Sequence, residues 1–156
     1  MTWYWYVVIA AVLVVAAVYL TGWLLPAKHS ATRTTDIASP PETVFAKIAD
    51  FEKRPSWRKD LKKVTVEPGG RFVTEDSLRY EIIENIAPRR LVTRIADDTL
   101  EFGGTWTIEV AAVPGGSRVT VREDGFVKSP VFRFFSRFVF GHTKTMDDFL
   151  KDLKAS

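Results

Sequence analysis

The amino-terminal end is the longest segment of the chain without a charged residue or a histidine. Residues Thr2 to Leu25 contain no Asp, Glu, Lys, Arg or His. With a rise of about 1.5 Å per residue, a helix over this segment is roughly 36 Å long, enough to cross a hydrocarbon core of about 30 Å. Aromatic residues stand near both of its ends, as membrane–water interfaces select. The sequence therefore predicts a transmembrane anchor over residues 1–25 and a short linker over residues 26–31.

Two other interpretations of this segment are a cleaved signal peptide and a buried core helix. A signal peptide needs a basic start and an apolar stretch of about 7–15 residues. This segment begins without Lys or Arg, and its apolar stretch is longer. A core helix needs a larger protein around it than residues 26–156 provide. We therefore favour a retained, single-pass anchor.

The charges that flank the anchor predict its orientation. Lys28 and Arg33 follow it, whereas only the α-amino group precedes it. Because loops on the cytoplasmic side carry an excess of Lys and Arg, we expect the amino terminus outside and the domain in the cytoplasm. The absence of cysteine agrees with this placement, although a domain outside the cytoplasm can also lack disulfides.

The remaining chain, residues 32–156, is long enough for one domain. A Thr-rich strand over 32–38 precedes a short amphipathic helix that carries Val44, Phe45 and Ile48. Several strands follow, separated by Pro- and Gly-containing turns. The best defined of these carries Trp106, Ile108 and Val110 in alternation with polar residues. Alternation with one apolar face indicates a curved antiparallel sheet of about six to seven strands.

The carboxyl-terminal segment predicts the element that covers this sheet. From Val131 to Leu153, apolar residues recur every three or four positions, as in an amphipathic helix. Gly141 is expected to kink or loosen this helix near its middle. The whole order indicates an α+β domain in which a long helix lies against the concave face of the sheet.

Four stretches of the chain resemble the START-like (Bet v 1-like, polyketide cyclase/dehydrase) superfamily. They are ASPPETVFAKIADFEKRPSWRKDLKKV (38–64), GTWTIEV (104–110), GSRVTVREDGFV (116–127) and SPVFRFFSRFVFGHTKTMDDFLKDL (129–153). The resemblance covers nearly all of the chain after the apolar segment and implies the helix-grip fold. It implies activity less specifically, because this fold carries many functions.

This resemblance implies a cavity between sheet and long helix that holds a hydrophobic small molecule or a lipid. Large side chains whose phase points toward that space are the ligand-binding candidates: Trp57, Tyr80, Trp106, Phe134, Phe135 and Phe138. The alternative is that the same aromatic rings simply fill the core. The sequence does not decide between a ligand cavity and a filled core.

Glu123 is the most informative polar residue, because its parity matches that of Val119 and Val121 and predicts an inward side chain. A buried carboxylate needs a partner. The simpler interpretation is an ion pair with Arg79 or Arg58. The other is a carboxylate that anchors a ligand or exchanges a proton, so Glu123 joins the pocket candidates.

The simpler interpretation of the basic residues is a solvated, soluble surface, and the functional alternative is a face that contacts anionic lipid headgroups. The candidates for this contact are Lys28, Arg54, Lys59, Arg133 and Arg137. The chain carries a formal net charge of +3, which also suits an anionic surface. No recognition-helix motif or phosphate-binding glycine loop is present, so we expect the bilayer as a partner and no nucleic acid. The sequence names no protein partner.

The pattern of reactive residues gives little support for chemistry. His29 and His142 have no Cys, His or Asp at metal-ligand spacing, so we assign no metal, no cofactor and no catalytic residue. The expected function is a membrane-anchored domain that binds a hydrophobic molecule without catalysis. The alternatives are an enzyme of the cyclase or dehydrase kind and a filled-core module that acts through its surface.

Overall fold

The computed structural model describes residues 3–141 and 143–156, apart from the side chain of Phe140. The α-helices of the described part are α1 (Trp3–Leu24), α2 (Pro41–Ala49), α3 (Pro130–Phe135) and α4 (Lys144–Ala155). Its strands are β1 (Lys28–Ile37), β2 (Val64–Val66), β3 (Phe72–Glu75), β4 (Leu78–Ile86), β5 (Arg90–Ile95), β6 (Phe102–Val113) and β7 (Gly116–Val127). A 3-10 helix, Phe51–Ser56, follows α2, and a π-helical turn, Ser136–Phe140, follows α3.

The seven strands form one antiparallel sheet in the order β1-β7-β6-β5-β4-β3-β2. This arrangement, with a helix against its inner face, confirms the predicted α+β helix-grip fold. β6 and β7 are joined at Pro114 and Gly115, where Val113 pairs with Gly116 and Gly115 has a φ of +84°. A positive φ is readily adopted by glycine, which explains the tight hairpin.

The first strand begins earlier than predicted. β1 starts at Lys28 rather than at Thr32, so residues 28–31 of the predicted linker pair with β7. Only Leu25, Pro26 and Ala27 separate α1 from the sheet. Because an extended residue spans at most about 3.6 Å, the start of β1 must lie close to the end of α1.

The core fills one half of the inner face of the sheet. α2 contributes Val44, Phe45 and Ile48, and α4 contributes apolar side chains along its length, from Met146 to Leu153. They cover a set of fully buried strand residues: Val73, Leu91, Ile108, Val110, Val119 and Val121. Most of these residues lie toward the β6–β7 hairpin, which leaves the other end of β6 and β7 without this cover.

The closing helix is not continuous, which corrects the prediction of one long helix over the sheet. α3 and the π-helical turn end at Gly141, whose φ of +72° leaves the helical region, and α4 begins at Lys144. α3 packs mainly against the end of α1 and contacts the sheet less, at β7. A β-carbon added to Gly22 of α1 would lie 1.9 Å from the Pro130 carbonyl oxygen, so the two backbones are in direct contact.

α1 confirms the predicted helix at the amino-terminal end. It is long and apolar enough to cross a membrane, and it is the one described helix of which this is true. Nearly all of its side chains point away from the domain, including Trp5, Val12 and Leu20. Length and composition suit a signal sequence or a core helix as well.

Candidate ligand-binding cavity

A cavity of about 330 Å³ lies between the inner face of the sheet, the 3-10 helix and the break after α3. Its walls include His29 at the start of β1, Phe102 at the start of β6 and Val127 at the end of β7. These strand ends are neighbours, because Lys28 pairs with Phe126 and Phe102 with Val127. The cavity therefore lies at the α1 end of the domain, and its volume falls within the range of about 300–1,000 Å³ for ligand pockets.

Most of the cavity wall is apolar. Trp106 separates the cavity from the core, with its ring centroid 5.8 Å from that of Phe149 in an edge-on arrangement. The other apolar side chains of the wall are Phe51, Leu78, Ile95, Phe102, Ile108, Phe126 and Val127. Such a surface can exclude water and bind a hydrophobic molecule.

Glu123 points into the cavity, as its parity predicts. Its Oε2 accepts a hydrogen bond from Nε1 of Trp106 at 2.6 Å, and its Oε1 lies 3.1 Å from Nε2 of His29. The predicted arginine partner is wrong: Arg79 binds Glu67, and Arg58 binds Glu75 and Asp60. Both carboxylate oxygens of Glu123 are engaged, which holds the indole ring and the imidazole ring in place.

A second polar group consists of two arginines around one carboxylate. Arg54 and Arg58 each donate to Glu75, and Arg54 also donates to the Ile48 carbonyl oxygen at 2.9 Å. Arg58 binds Asp60 as well. Burial lowers the pKa of Arg54, and the Glu75 charge opposes that shift. All four side chains are paired, so this group holds the 3-10 helix against β3.

Two hydroxyl groups of the wall have no hydrogen-bond partner among the residues that the structure describes. They belong to Tyr80 of β4 and Thr93 of β5, which both line the cavity. Thr93 is only 9% exposed. These two groups are therefore available to hydrogen-bond a polar atom of a ligand.

Burial raises the pKa of Tyr80 to about 12, and the nearby Glu75 carboxylate adds to this shift. We expect Tyr80→Phe to remove a component of the tyrosinate absorbance that titrates near pH 12. Because the unfolded chain loses this proton near pH 10, the stability of the natural chain should fall between pH 10 and 12, by about 2–3 kcal/mol. Tyr80→Phe should abolish this part of the loss. A removed component that titrates near pH 10 would contradict the burial of Tyr80.

Comparison with known proteins assigns the domain to a family. The model of the "Polyketide cyclase / dehydrase and lipid transport" family matches residues 28–156. The chain belongs to this family. The match begins at the first residue of β1, and it confirms the resemblance to the START-like superfamily. A search of curated proteins finds no match.

Solved structures support the same fold for this cyclase/dehydrase-family chain. A START superfamily protein from Mycobacterium smegmatis superimposes with a TM-score of 0.64 at 18% identity, covering 81% of this chain and 95% of that one. A protein from Mesorhizobium loti superimposes with a TM-score of 0.64 at 16% identity, and the match covers 81% of this chain and 95% of that one. The di-domain ARO/CYC protein StfQ of the steffimycin biosynthetic pathway superimposes with a TM-score of 0.61 at 12% identity. This match covers 82% of this chain and 50% of that one. At these identities the similarity shows the fold alone.

Three of the predicted pocket residues line the cavity of this family member: Tyr80, Trp106 and Glu123. Trp57 lies in the core instead, with its ring centroid 5.5 Å from that of Phe149. The predicted trio Phe134, Phe135 and Phe138 lies outside the cavity wall, because the break at Gly141 turns α3 away from the sheet. The ring centroid of Phe134 lies 5.7 Å from that of Phe135 and 5.0 Å from that of Phe138.

The predicted basic candidates differ in their exposure to solvent. Arg54 is only 5% exposed, so its placement on a membrane surface is wrong. The 3-10 helix turns it inward to Glu75, whereas a run of basic residues in sequence suggests a solvated face. Lys59, Lys28 and Arg137 are exposed. Arg133 is half-buried and donates to the carbonyl oxygens of Val127 and Leu25, which ties α3 to the end of α1.

His29 is the site residue that the sequence pattern misses. It lies in the predicted linker, and only the earlier start of β1 gives it an inward phase. The alternation of His29 and Ala31 with the polar residues Lys28 and Ser30 is a sequence signal that could have extended the predicted first strand toward the amino terminus. No group of three or more possible metal ligands is found in the described ranges, 3–141 and 143–156.

Proposed function

We propose that this protein is a single-pass membrane protein whose domain binds a hydrophobic small molecule or a lipid without catalysis. The observation that carries this proposal is the cavity of about 330 Å³ with its largely apolar wall. Such a space argues for a ligand site and against a filled-core module, because ligand sites are typically concave, mostly apolar pockets of this size. The unpaired hydroxyls of Tyr80 and Thr93 favour a ligand that carries at least one polar atom.

The anchoring part of the proposal rests on α1. Its exposed apolar surface would be costly in water and is typical of a segment in lipid. We propose that residues 1–25 span the bilayer and that the domain begins at Lys28, with the start of β1. The basic side chains of Lys28, Arg133 and Arg137 line one groove beside the end of α1. This charge supports contact with anionic headgroups and a cytoplasmic placement of the domain.

An enzyme of the cyclase or dehydrase kind is the second candidate, and one observation favours it. His29 and Glu123 form a hydrogen-bonded pair at the cavity wall, and such a pair can exchange protons with a bound molecule. The binding role is favoured because the remaining charged groups of the wall, Arg54, Arg58 and Glu75, are paired with one another. Loss of turnover in His29→Gln with binding retained would identify an enzyme.

Binding of an apolar probe tests the proposed function. We expect the full-length protein in nanodiscs to bind an environment-sensitive probe saturably. Trp106→Ala should change this binding strongly, because Trp106 faces the cavity, and Thr107→Ala should change it little, because its side chain points to the opposite face of β6. Trp106 is half-buried, so its loss should cost less than the roughly 3–5 kcal/mol of a fully buried aromatic ring.

Binding must be compared between folded variants, which circular dichroism establishes for each. The absence of saturable binding to the folded natural chain would overturn the proposal. Equal effects of Trp106→Ala and Thr107→Ala would show that the probe binds elsewhere.

A further inference from the structure

We propose that an exposed apolar rim of the domain inserts into the bilayer beside α1, and that the cavity takes its ligand through this rim from the membrane. The apolar rim consists of Val131, Phe132, Phe135, Phe138 and Val139. The inference rests on the proposed anchoring and ligand binding. It defines the ligand as a molecule that partitions into lipid rather than one that arrives through water.

The apolar rim is unusual for a surface in water. Phe132 is 57% exposed, and Phe138 and Val139 are each 60% exposed. These side chains come from α3 and the π-helical turn, within one short stretch of the chain. Contiguous exposed apolar side chains of this kind mark a site of contact with a protein or a membrane.

The position of the rim identifies the bilayer as the partner. α3 contacts the end of α1 through Pro130 and Gly22, so it must lie wherever that end of α1 lies. The Arg133 guanidinium reinforces this contact by donating to the Leu25 carbonyl oxygen at 3.4 Å. An α1 of 22 residues is about 33 Å long, close to the thickness of a hydrocarbon core, so its end lies at the membrane interface.

The charges around the rim suit the same partner. Lys28 and Arg137 are exposed beside the end of α1, where they line one groove with Arg133. Basic side chains next to exposed aromatic and aliphatic side chains are typical of helices that lie in the interface plane of anionic membranes. A second copy of this chain would bring the same positive groups together, which disfavours self-association through this surface.

The rim also borders the cavity. Ser136 and Gly141, at the two ends of the π-helical turn, line the cavity, whereas Phe138 between them faces outward. A single turn of helix therefore separates the cavity from the surface that would contact lipid. The cavity lies at the α1 end of the sheet, so a ligand that passes this turn can leave the bilayer without crossing water.

Single-cysteine labelling tests the depth of the rim. The natural chain has no cysteine, so one cysteine can be placed at Phe132, Phe138 or, as a control, at Ala111 on the far end of β6. Each full-length variant carries an NBD label in nanodiscs that contain nitroxide lipids. We expect a blue-shifted emission and nitroxide quenching at 132 and 138, strongest for a nitroxide near the top of the acyl chain, since interfacial helices reach about 5–10 Å into the bilayer.

The label at position 111 should report water and show no quenching. Water-like emission at 132 and 138 would overturn the inference. A blue shift without quenching by nitroxide lipids would overturn it as well, because it would identify a protein partner or a second copy.

The path of the ligand is tested by the rate at which full-length protein in nanodiscs takes up an apolar probe from donor vesicles. We expect Phe138→Asp to slow this uptake by a factor that Ala111→Asp does not reproduce. Equal uptake rates for the two variants would overturn the path through the rim. If the natural chain takes up no probe at all, this path and the proposed function fail together, whereas uptake with water-like labels leaves the proposed function intact and overturns only the rim.

Discussion

Replacing Glu75 with alanine is expected to destabilise the domain by about 3–5 kcal/mol, because it leaves two buried guanidinium groups without their shared carboxylate. The side chains of Arg54 and Arg58 are each 6% exposed, so bulk water has little access to the guanidinium groups that lose these hydrogen bonds. Arginine also stays charged at any accessible pH, so deprotonation offers no relief. Denaturant unfolding of the full-length protein in detergent measures this loss.

Glu81→Ala is the matched control for this prediction. Glu81 also binds two arginines, Arg71 and Arg94, but their side chains are 70% and 55% exposed. Water can therefore solvate both guanidinium groups after the substitution, and the loss of stability should be much smaller. Equal losses in Glu75→Ala and Glu81→Ala would show that burial of the arginines does not determine the cost.

Two lysines in the middle of α1 are expected to abolish stable membrane association. A lysine at the centre of a spanning helix costs about 2.5–3.5 kcal/mol on insertion scales, so Val12→Lys with Val15→Lys removes roughly 5–7 kcal/mol of insertion free energy. The natural chain should remain in the membrane pellet after high-salt and alkaline washing. The double variant, and a chain that begins at Ala27, should be extracted by the alkaline wash.

Val12→Leu with Val15→Leu keeps the segment apolar and should remain in the pellet. Extraction of the natural chain by the alkaline wash would contradict the anchor. Detection of a mature chain that lacks residues 1–25 would show that the segment is a cleaved signal.

The sheet could be predicted from the sequence because its signals are local. The alternation along β6 and β7 and the turn at Pro114 and Gly115 specify a hairpin without information from elsewhere in the chain. Gly141 predicts a kinked or loosened helix, but the turn of α3 away from the sheet could not be predicted in the same way, because apolar spacing continues on both sides of Gly141. This turn of α3 accompanies its contact with the end of α1, where Arg133 donates to the carbonyl oxygen of Leu25, a residue 108 positions away in the sequence.

In the candidate site, too, features with local sequence signals could be predicted and features that depend on distant contacts could not. Parity within each strand placed Tyr80 of β4, Trp106 of β6 and Glu123 of β7 on the inner face, and the structure brings all three to the cavity. The partner of Glu123 depends on pairing between β1 and β7, and His29 is 94 positions away from it. Helical spacing in α3 describes an apolar face but does not say which surface covers it.

Native mass spectrometry of the full-length protein, released from nanodiscs made with the membranes of the cells that express it, tests ligand binding most directly. We predict an additional mass that corresponds to an apolar molecule bound to the natural chain. Ile95→Trp replaces an aliphatic side chain of the cavity wall with a bulky indole ring and should remove this mass, whereas Ala111→Trp, at an exposed position of β6, should retain it. A natural chain that carries no such molecule, or a bound molecule that Ile95→Trp leaves in place, would contradict a ligand site in this cavity.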